Sequence, residues 1–487
     1  MSPTIAPERK WLALALLAAA QFVVVLDASI VNVALPSIGR DLHFSQDDLS
    51  WVVNAYTLTF GGFLLLGGRM ADLLGRRRLF LGGLVLFALA SLAGGLSQSD
   101  GQLIAARAVQ GLGAALLSPA ALSLVTVIFA EGAERNRALG VWGAVAGSGG
   151  AVGVLLGGML TKWAGWEWVL FVNVPIGLAA AALTPRLLPE SRSGGARHFD
   201  VAGAVSITAG LSLLVYALVD ATSAGWGSTR TVLLLAVAAA LVGGFVVIER
   251  TTRAPLVPFP GIFRLRTISG INLTALFVAM ALFSMFFFVS LYMQQVLGYD
   301  ALKAGLSYLP LALGIIVSAG LASQLTTRFG FKPVLIAGLL LTAGGLVWFS
   351  RVSADGGYVS DILFPSLLAA VGLGFAFVPM TVAAVSGVEG HEAGLASGLI
   401  NTSQQVGGAL GLAILATVAN GRTEDAVTGG APMPVALTDG FQRAFEVGAG
   451  FAILGAILAL ILISGRASRE HALAAQRGEL EPVPMAA

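Results

Sequence analysis

Two ionisable side chains stand well inside long apolar runs of this chain: Asp27 in the first and Arg107 in the fourth. A charge near the centre of a bilayer-spanning helix costs at least a few kcal/mol, so such residues face a cavity or one another and mark proton or ion pathways. At 1.5 Å per residue, Asp27 sits about ten residues, or about 15 Å, below the outer end of its run, and Arg107 about six residues, or about 9 Å, below that of its own. These depths allow the two to meet. Burial and a neighbouring guanidinium pull a carboxyl's proton affinity in opposite directions, leaving its occupancy sensitive to which side of the membrane is open. That is proton-coupling chemistry; the alternative is a buried pair that only fixes helix packing.

A second concentration of charge is "GGRMADLLGRRRLFLGG", residues 67–83, between two apolar runs. Orientation in a membrane accounts for arginines there, but not for Asp72 or the glycines. A carboxylate at a helix end accepts N–H groups from a neighbouring helix N-terminus or pairs with arginine. Gly75 allows a tight turn that folds the arginines back. Gly68, Asp72, Gly75, Arg76 and Arg77 are therefore expected to form an inner latch that holds an outward-open state.

Binding chemistry is expected on other runs. The ninth carries Phe283, Phe286, Phe287, Phe288, Tyr292, Gln294 and Gln295, and the thirteenth carries Asn401, Gln404 and Gln405. Amides facing lipid are costly, so they are expected to face inward, with Asn32, Asn54, Tyr56 and Gln110 completing an apolar cavity that holds a few hydrogen-bonding groups. Asp27 is the only acid placed near it, which favours neutral, weakly anionic or monocationic aromatic ligands. The fifth run spaces Gly143 and Gly147, then Gly149, Gly153 and Gly157, four residues apart, which permits close packing between membrane helices.

The elements that must position these residues follow from composition. Of 487 residues 56% are hydrophobic and 11% charged, with mean hydropathy +0.86, against roughly 25% charged in a soluble domain. This is an all-α integral membrane protein. A bilayer core of about 30 Å needs about 20 apolar residues, and fourteen segments qualify: 11–35, 50–70, 79–97, 101–127, 138–161, 167–187, 200–220, 231–249, 268–296, 304–326, 333–350, 362–385, 394–419 and 442–464. With both termini cytoplasmic, twenty of the 28 Lys and Arg residues fall on the inside, seven on the outside, and Arg107 in a span. The positive-inside rule selects that orientation. Arg outnumbers Lys 24 to 4, which reads as the codon bias of a high-GC bacterial genome.

Several classes find no support. The chain holds no Cys, hence no disulfide framework or thiolate site. The four histidines fall in predicted loops, so no metal site is expected. No phosphate-binding Gly-rich loop precedes a lysine, and no acid, base and nucleophile converge, so an enzyme is not expected. The basic residues follow topology, so no nucleic-acid partner is expected either.

The sequence echoes itself. "GLGAALLSP" (Gly111 to Pro119) resembles "GLGFAFVP" (Gly372 to Pro379), and "ADLLGRR" aligns with "TTRFGFK", matching Gly75 to Gly330 and replacing Asp72 by Thr327. The second echo comes eight runs after the first, which two extra helices inserted between six-helix halves would explain. The division expected is 1–190, a six-helix bundle; 191–266, two additional helices with linkers; 267–465, a second bundle; and 466–487, a mobile cytoplasmic tail. Repeated bundles around a central cavity suit alternating access.

"GRMADLLGRRR" resembles the loop signature of the major facilitator superfamily. "LDASIVNVALP" (Leu26 to Pro36), "RAVQGLGAALLSP" (Arg107 to Pro119), "WEWVLFVNVPIG" (Trp166 to Gly177) and "SLYMQQVLGYDALKAGLSYLP" (Ser290 to Pro310) are similar to its fourteen-helix drug:proton antiporter branch. The resemblance covers nearly the whole chain. It implies a major facilitator fold and a monomer driven by the proton gradient without a cofactor, exporting lipophilic drugs, antibiotics or secondary metabolites across the cytoplasmic membrane. Import of a small nutrient on the same fold is the alternative. Two positions depart from the pattern: Val154 follows Gly153 where the branch has proline, removing a proline bend in the fifth helix, and Glu167 stands where the family usually has arginine.

Overall fold

A computed structural model of the chain describes residues 7–44, 49, 51–130, 132–191, 200–252, 257, 261–386, 388 and 393–477. Among them there is no strand. In chain order the helices are α1 Pro7–Asp41, α2 Trp51–Leu74, α3 Arg76–Gly95, α4 Asp100–Ile128, α5 Ala133–Trp163, α6 Trp168–Leu187, α7 Val201–Ala224, α8 Thr229–Thr251, α9 Arg266–Leu291, α10 Leu302–Phe329, α11 Phe331–Phe349, α12 Tyr358–Val385, α13 Ala393–Thr428, α14 Met433–Leu462 and α15 Gly465–Arg477. Among the described residues twelve helices are long and apolar enough to cross a membrane, and thirteen if the bent α5 counts as one span. The remaining predicted span, 394–419, lies in α13, whose 36 residues are diluted by Asn401, Gln404, Gln405 and several hydroxyls; it packs between α9 and α14.

Helices α1 to α6 pack on one another, as do α9 to α14, and the two groups meet along α2 with α13 and along α5 with α10 and α12. Helix α7 lies against both α2 and α13. A small core of Leu65 from α2, Ile207 and Leu211 from α7, and Leu395 and Leu399 from α13 fills that junction. At the other end of α7, Trp226 donates to the Thr417 hydroxyl of α13 at 2.8 Å, and Tyr216 stacks on Trp51 of α2.

Helix α5 bends by 43° between Gly150 and Val152. Replacing the expected proline by Val154 does not straighten it, because the bend sits upstream, after Gly147-Ser148-Gly149-Gly150. Glycine and serine clusters weaken the helical ladder as proline does.

The carboxy-terminal tail departs from expectation. From Gly465 to Arg477 it is helix α15, with Ser468, His471, Ala472 and Ala475 buried on one face; residues 478–487 lie outside the described residues. A 3.6-residue period in a short polar segment is hard to see when only small side chains and one histidine mark the buried stripe. Ser468 Oγ accepts from the Lys332 amide at 3.0 Å, His471 Nε2 lies 3.3 Å from Asn136 Oδ1, and Gln476 donates to the Arg328 carbonyl at 2.9 Å. His471, read as a loop residue from sequence, is thus a buried helical one. Burial, and then the Arg135 guanidinium, push its imidazole down to about 4.

Because the docked form binds a proton less readily than free histidine, docking is at full strength above about pH 6.5 and is lost progressively as pH falls toward 4. The shift corresponds to about 3 kcal/mol at the acid end. Hydrogen-exchange protection of Gly465–Arg477 is expected to fall between pH 7 and 5 in the wild type and to stay level in His471→Gln; equal pH dependence in both proteins would contradict this.

Candidate functional site

Asp27 and Arg107 meet. Arg107 Nη1 donates to Asp27 Oδ2 at 2.5 Å, with the two side chains 1% and 0% exposed. Around them α2, α3, α4 and α6 each contribute. Gln110, one helical turn beyond Arg107 on the same face of α4, accepts from Arg107 Nη1 at 2.6 Å and donates to Asp27 Oδ1 at 2.8 Å and to Ser91 at 2.6 Å. Asn173 of α6 donates to Asp27 Oδ1 at 2.7 Å and to Ser91 at 3.2 Å. Arg107 Nε donates to the Val52 carbonyl at 2.9 Å, and its guanidinium lies 4.4 Å from the centre of the Tyr56 ring. Such a desolvated charge pair is costly, and the hydrogen bonds with Gln110, Asn173 and the Val52 carbonyl offset part of that cost.

Close helix approach brings these side chains together. A Cβ on Gly113 of α4 would lie 2.7 Å from the Phe87 amide of α3, the helix that carries Ser91. The glycines of α5 divide between two partners: Gly143 faces Val378 of α12, while Gly149, Gly153 and Gly157 face Val25, Leu26 and Ile30 of α1, on either side of Asp27. Gly147 opens the run that precedes the bend. A Cβ on Gly153 would stand 2.8 Å from the Leu26 carbonyl, so Gly153→Leu is expected to destabilise the protein by at least about 1–3 kcal/mol, the usual effect of overpacking. Thermal unfolding in detergent reads this as a clear fall in melting temperature; an unchanged melting temperature would show that α1 is free to move away.

Asp72 occupies a second buried site, at the α2–α13 crossing on the end predicted to be cytoplasmic. Its Oδ1 accepts from Arg76 Nη2 at 2.7 Å and from the Gly394 amide at 3.2 Å, and its Oδ2 accepts from the Leu395 amide at 3.0 Å. The amides belong to the first turn of α13, where N–H groups have no partner within the helix and the helix dipole favours an anion. Gly68 makes the crossing possible, since a Cβ there would stand 2.5 Å from the Gly394 carbonyl. Gly75, at φ +109°, turns the chain so that Arg76 lies under Asp72. Arg77 does not join this site: it donates to the Leu188 carbonyl at 3.3 Å and pairs with Glu190 at 3.7 Å, beyond the end of α6.

The echoed segment forms a similar joint between α10 and α5. Gly330 also has positive φ, +86°. Thr327, which replaces the aspartate, accepts from Asn136 Nδ2 at 3.0 Å near the start of α5, and Ser323 donates to the Asn136 carbonyl at 2.8 Å.

The residues expected around a cavity separate into groups. Tyr56 and Gln110 belong to the Asp27 cluster, and the Tyr56 hydroxyl is bonded to the Val24 carbonyl at 3.3 Å. Tyr292 is buried and tied to the Ser353 carbonyl at 2.7 Å and to Asp361 at 3.1 Å, so it anchors a loop instead. In all three the hydroxyl or amide has a protein partner that spacing alone does not reveal. Asn32 and Asn401 donate to their own helices, at the Ala28 and Ser397 carbonyls. Phe287 and Gln295 are exposed, and Asn54, Gln404 and Gln405 are half-buried. Gln405 lies at the α2–α13 seam, its Cβ 3.7 Å from where a Cβ on Gly61 would be.

Sequence reasoning missed Ser91, Asn173 and the α13 amides. Asn173 lies in the quoted Trp166–Gly177 stretch, where an asparagine inside an apolar run was the available signal.

The Major Facilitator Superfamily profile matches residues 17–412. The chain is 42% identical over 466 residues to the puromycin resistance protein pur8 of Streptomyces alboniger, covering 94% of this chain and 92% of that one. It is also 42% identical to the cephamycin export protein CmcT of Amycolatopsis lactamdurans, covering 92% of each. In fold it is similar to the crystal structure of the human organic anion transporter MFSD10, with TM-score 0.69 at 16% identity, covering 93% of this chain and all of that one.

Proposed function

The chain belongs to the Major Facilitator Superfamily, and from that premise we propose that it is a multi-pass exporter of lipophilic antibiotics or related drugs, driven by proton antiport through Asp27 and Arg107. Fourteen helices cross the cytoplasmic membrane in this reading, with both termini inside and the bundles 1–190 and 267–465 rocking about a central cavity as a monomer. The observation that carries the coupling mechanism is the fully buried Asp27–Arg107 pair, expensive in a bilayer and held by neutral hydrogen-bonding groups instead of further charges. Similarity to resistance and export proteins supplies the direction, outward, and the substrate class.

In this mechanism a proton from outside neutralises Asp27, the pair with Arg107 weakens, and α1 and α4 are free to shift. Asp72 releases the α13 amides, the inner end opens, the proton leaves inward and the drug is taken up. Cells expressing the chain are expected to accumulate several-fold less puromycin or ethidium than control cells, and a protonophore to abolish the difference. Greater accumulation on expression would point to import and overturn the reading.

A further inference from the structure

Every group that hydrogen-bonds to Asp27 does so as a donor. Its Oδ2 faces Arg107 Nη1, and its Oδ1 faces Gln110 Nε2 and Asn173 Nδ2. That arrangement suits a carboxylate. A proton adds an O–H, which needs an acceptor, and a guanidinium has none. The proton must therefore sit on Oδ1, between two amides.

Gln110 is held at both ends, because its Oε1 accepts from Arg107 and its Nε2 donates to Ser91. Turning it would set N–H against N–H. The Asn173 amide is held at one end only: Nδ2 donates to Asp27 and Ser91, while Oδ1 is buried with no hydrogen-bond partner. Arg107 is the one charged group hydrogen-bonded to Asp27 among the described residues, and α3 and α6 bring neutral groups.

We infer that Asn173 is the positioning residue that receives the proton on Asp27, its side-chain amide turning over so that Oδ1 accepts the new Asp27 O–H. The inference rests on the reading of Asp27 as the proton carrier. In this step an O–H bond forms on Asp27 Oδ1, the carboxylate charge is neutralised, and no covalent bond of Asn173 changes. After turning, Oδ1 occupies the place of Nδ2, within reach of both the Asp27 and Ser91 hydroxyls. The amino group swings to where Oδ1 had no partner, which leaves a buried N–H of α6 without an acceptor and favours an adjustment of that helix. Loading the proton is thereby transmitted to α6 as well as to Arg107.

Infrared difference spectra between acidic and neutral pH test this on the full-length protein in nanodiscs, with asparagine side-chain carbonyls carbon-13 labelled. The expected wild-type spectrum contains a protonated carboxyl band, absent from Asp27→Asn, and a concurrent downshift of one asparagine carbonyl, absent from Asn173→Leu. In Asn173→Leu the carboxyl band should persist and move to higher wavenumber, because its O–H has lost its acceptor. Asn173→Thr keeps an acceptor and should leave the band near its wild-type position, which provides a readout if the leucine variant does not fold. A wild-type carboxyl band with no asparagine shift would overturn the inference and leave proton loading intact. Absence of any Asp27 carboxyl band down to the lowest pH at which the protein stays folded would overturn both.

Discussion

Asp27→Asn is expected to reduce pH-gradient-driven drug efflux at least a hundredfold, to background, while leaving drug binding within a few-fold of wild type. The replacement is isosteric and cannot take up a proton, so alternating access loses the step the gradient drives. It also leaves Arg107 without its counter-ion, and breaking a buried pair costs about 3–5 kcal/mol where nothing else faces the charge. Here the Gln110 and Val52 carbonyls and the Tyr56 ring still face the guanidinium, so the variant should fold with a lowered melting temperature. Proteoliposomes with an imposed pH gradient, at matched protein content, give the comparison. Efflux within a factor of two of wild type would reduce the pair to a packing feature.

Asp72→Ala is expected to reduce transport at least tenfold by a different route, through loss of the inner joint. The substitution removes the acceptor of two α13 amides and the carboxylate that pairs with the Arg76 guanidinium, which is 4% exposed. Buried donors left unsatisfied cost about 1–3 kcal/mol each, enough to shift the population away from the inside-closed state by tenfold or more. The chain has no native cysteine, so a single cysteine at Leu66 or Ser397 reports the change directly: its labelling from the cytoplasmic side should rise severalfold in the Asp72→Ala background. Unaltered labelling together with normal transport would leave the segment an orientation signal alone.

The long-range pairings were partly visible in the sequence. Asp27 and Arg107 announce themselves by being charged within apolar runs, and helical rise places them at compatible depths. Asp72 stands out because membrane orientation demands arginines but no acid. Which backbone amides it meets could not be read, since they lie 322 and 323 residues away and a backbone N–H leaves no mark in the residue types. Arg77 shows the limit from the other side: it shares the motif with Arg76, yet one residue along the helix rotates its side chain by about 100°, to Leu188 and Glu190.

The repeat was legible and has a physical counterpart. Gly75 and Gly330 both take positive φ, and the residues aligned with each other, Asp72 and Thr327, both accept hydrogen bonds across a joint between the two helix groups. The chemistry differs as the sequence does, a charged clasp on one side and a hydroxyl on the other. Cavity residues were the least legible. An amide or tyrosine in an apolar run must find a partner, but spacing cannot tell a ligand from a loop carbonyl, and Tyr292 found the latter.

Proton antiport by this chain is tested by recording proton movement itself. Proteoliposomes containing a trapped pH dye, with no initial pH gradient, would be given an outwardly directed gradient of puromycin or ethidium. Antiport predicts that drug leaving the vesicle draws protons in, acidifying the lumen in the wild type and not in Asp27→Asn. Drug efflux from wild-type vesicles with no change in luminal pH would contradict the account.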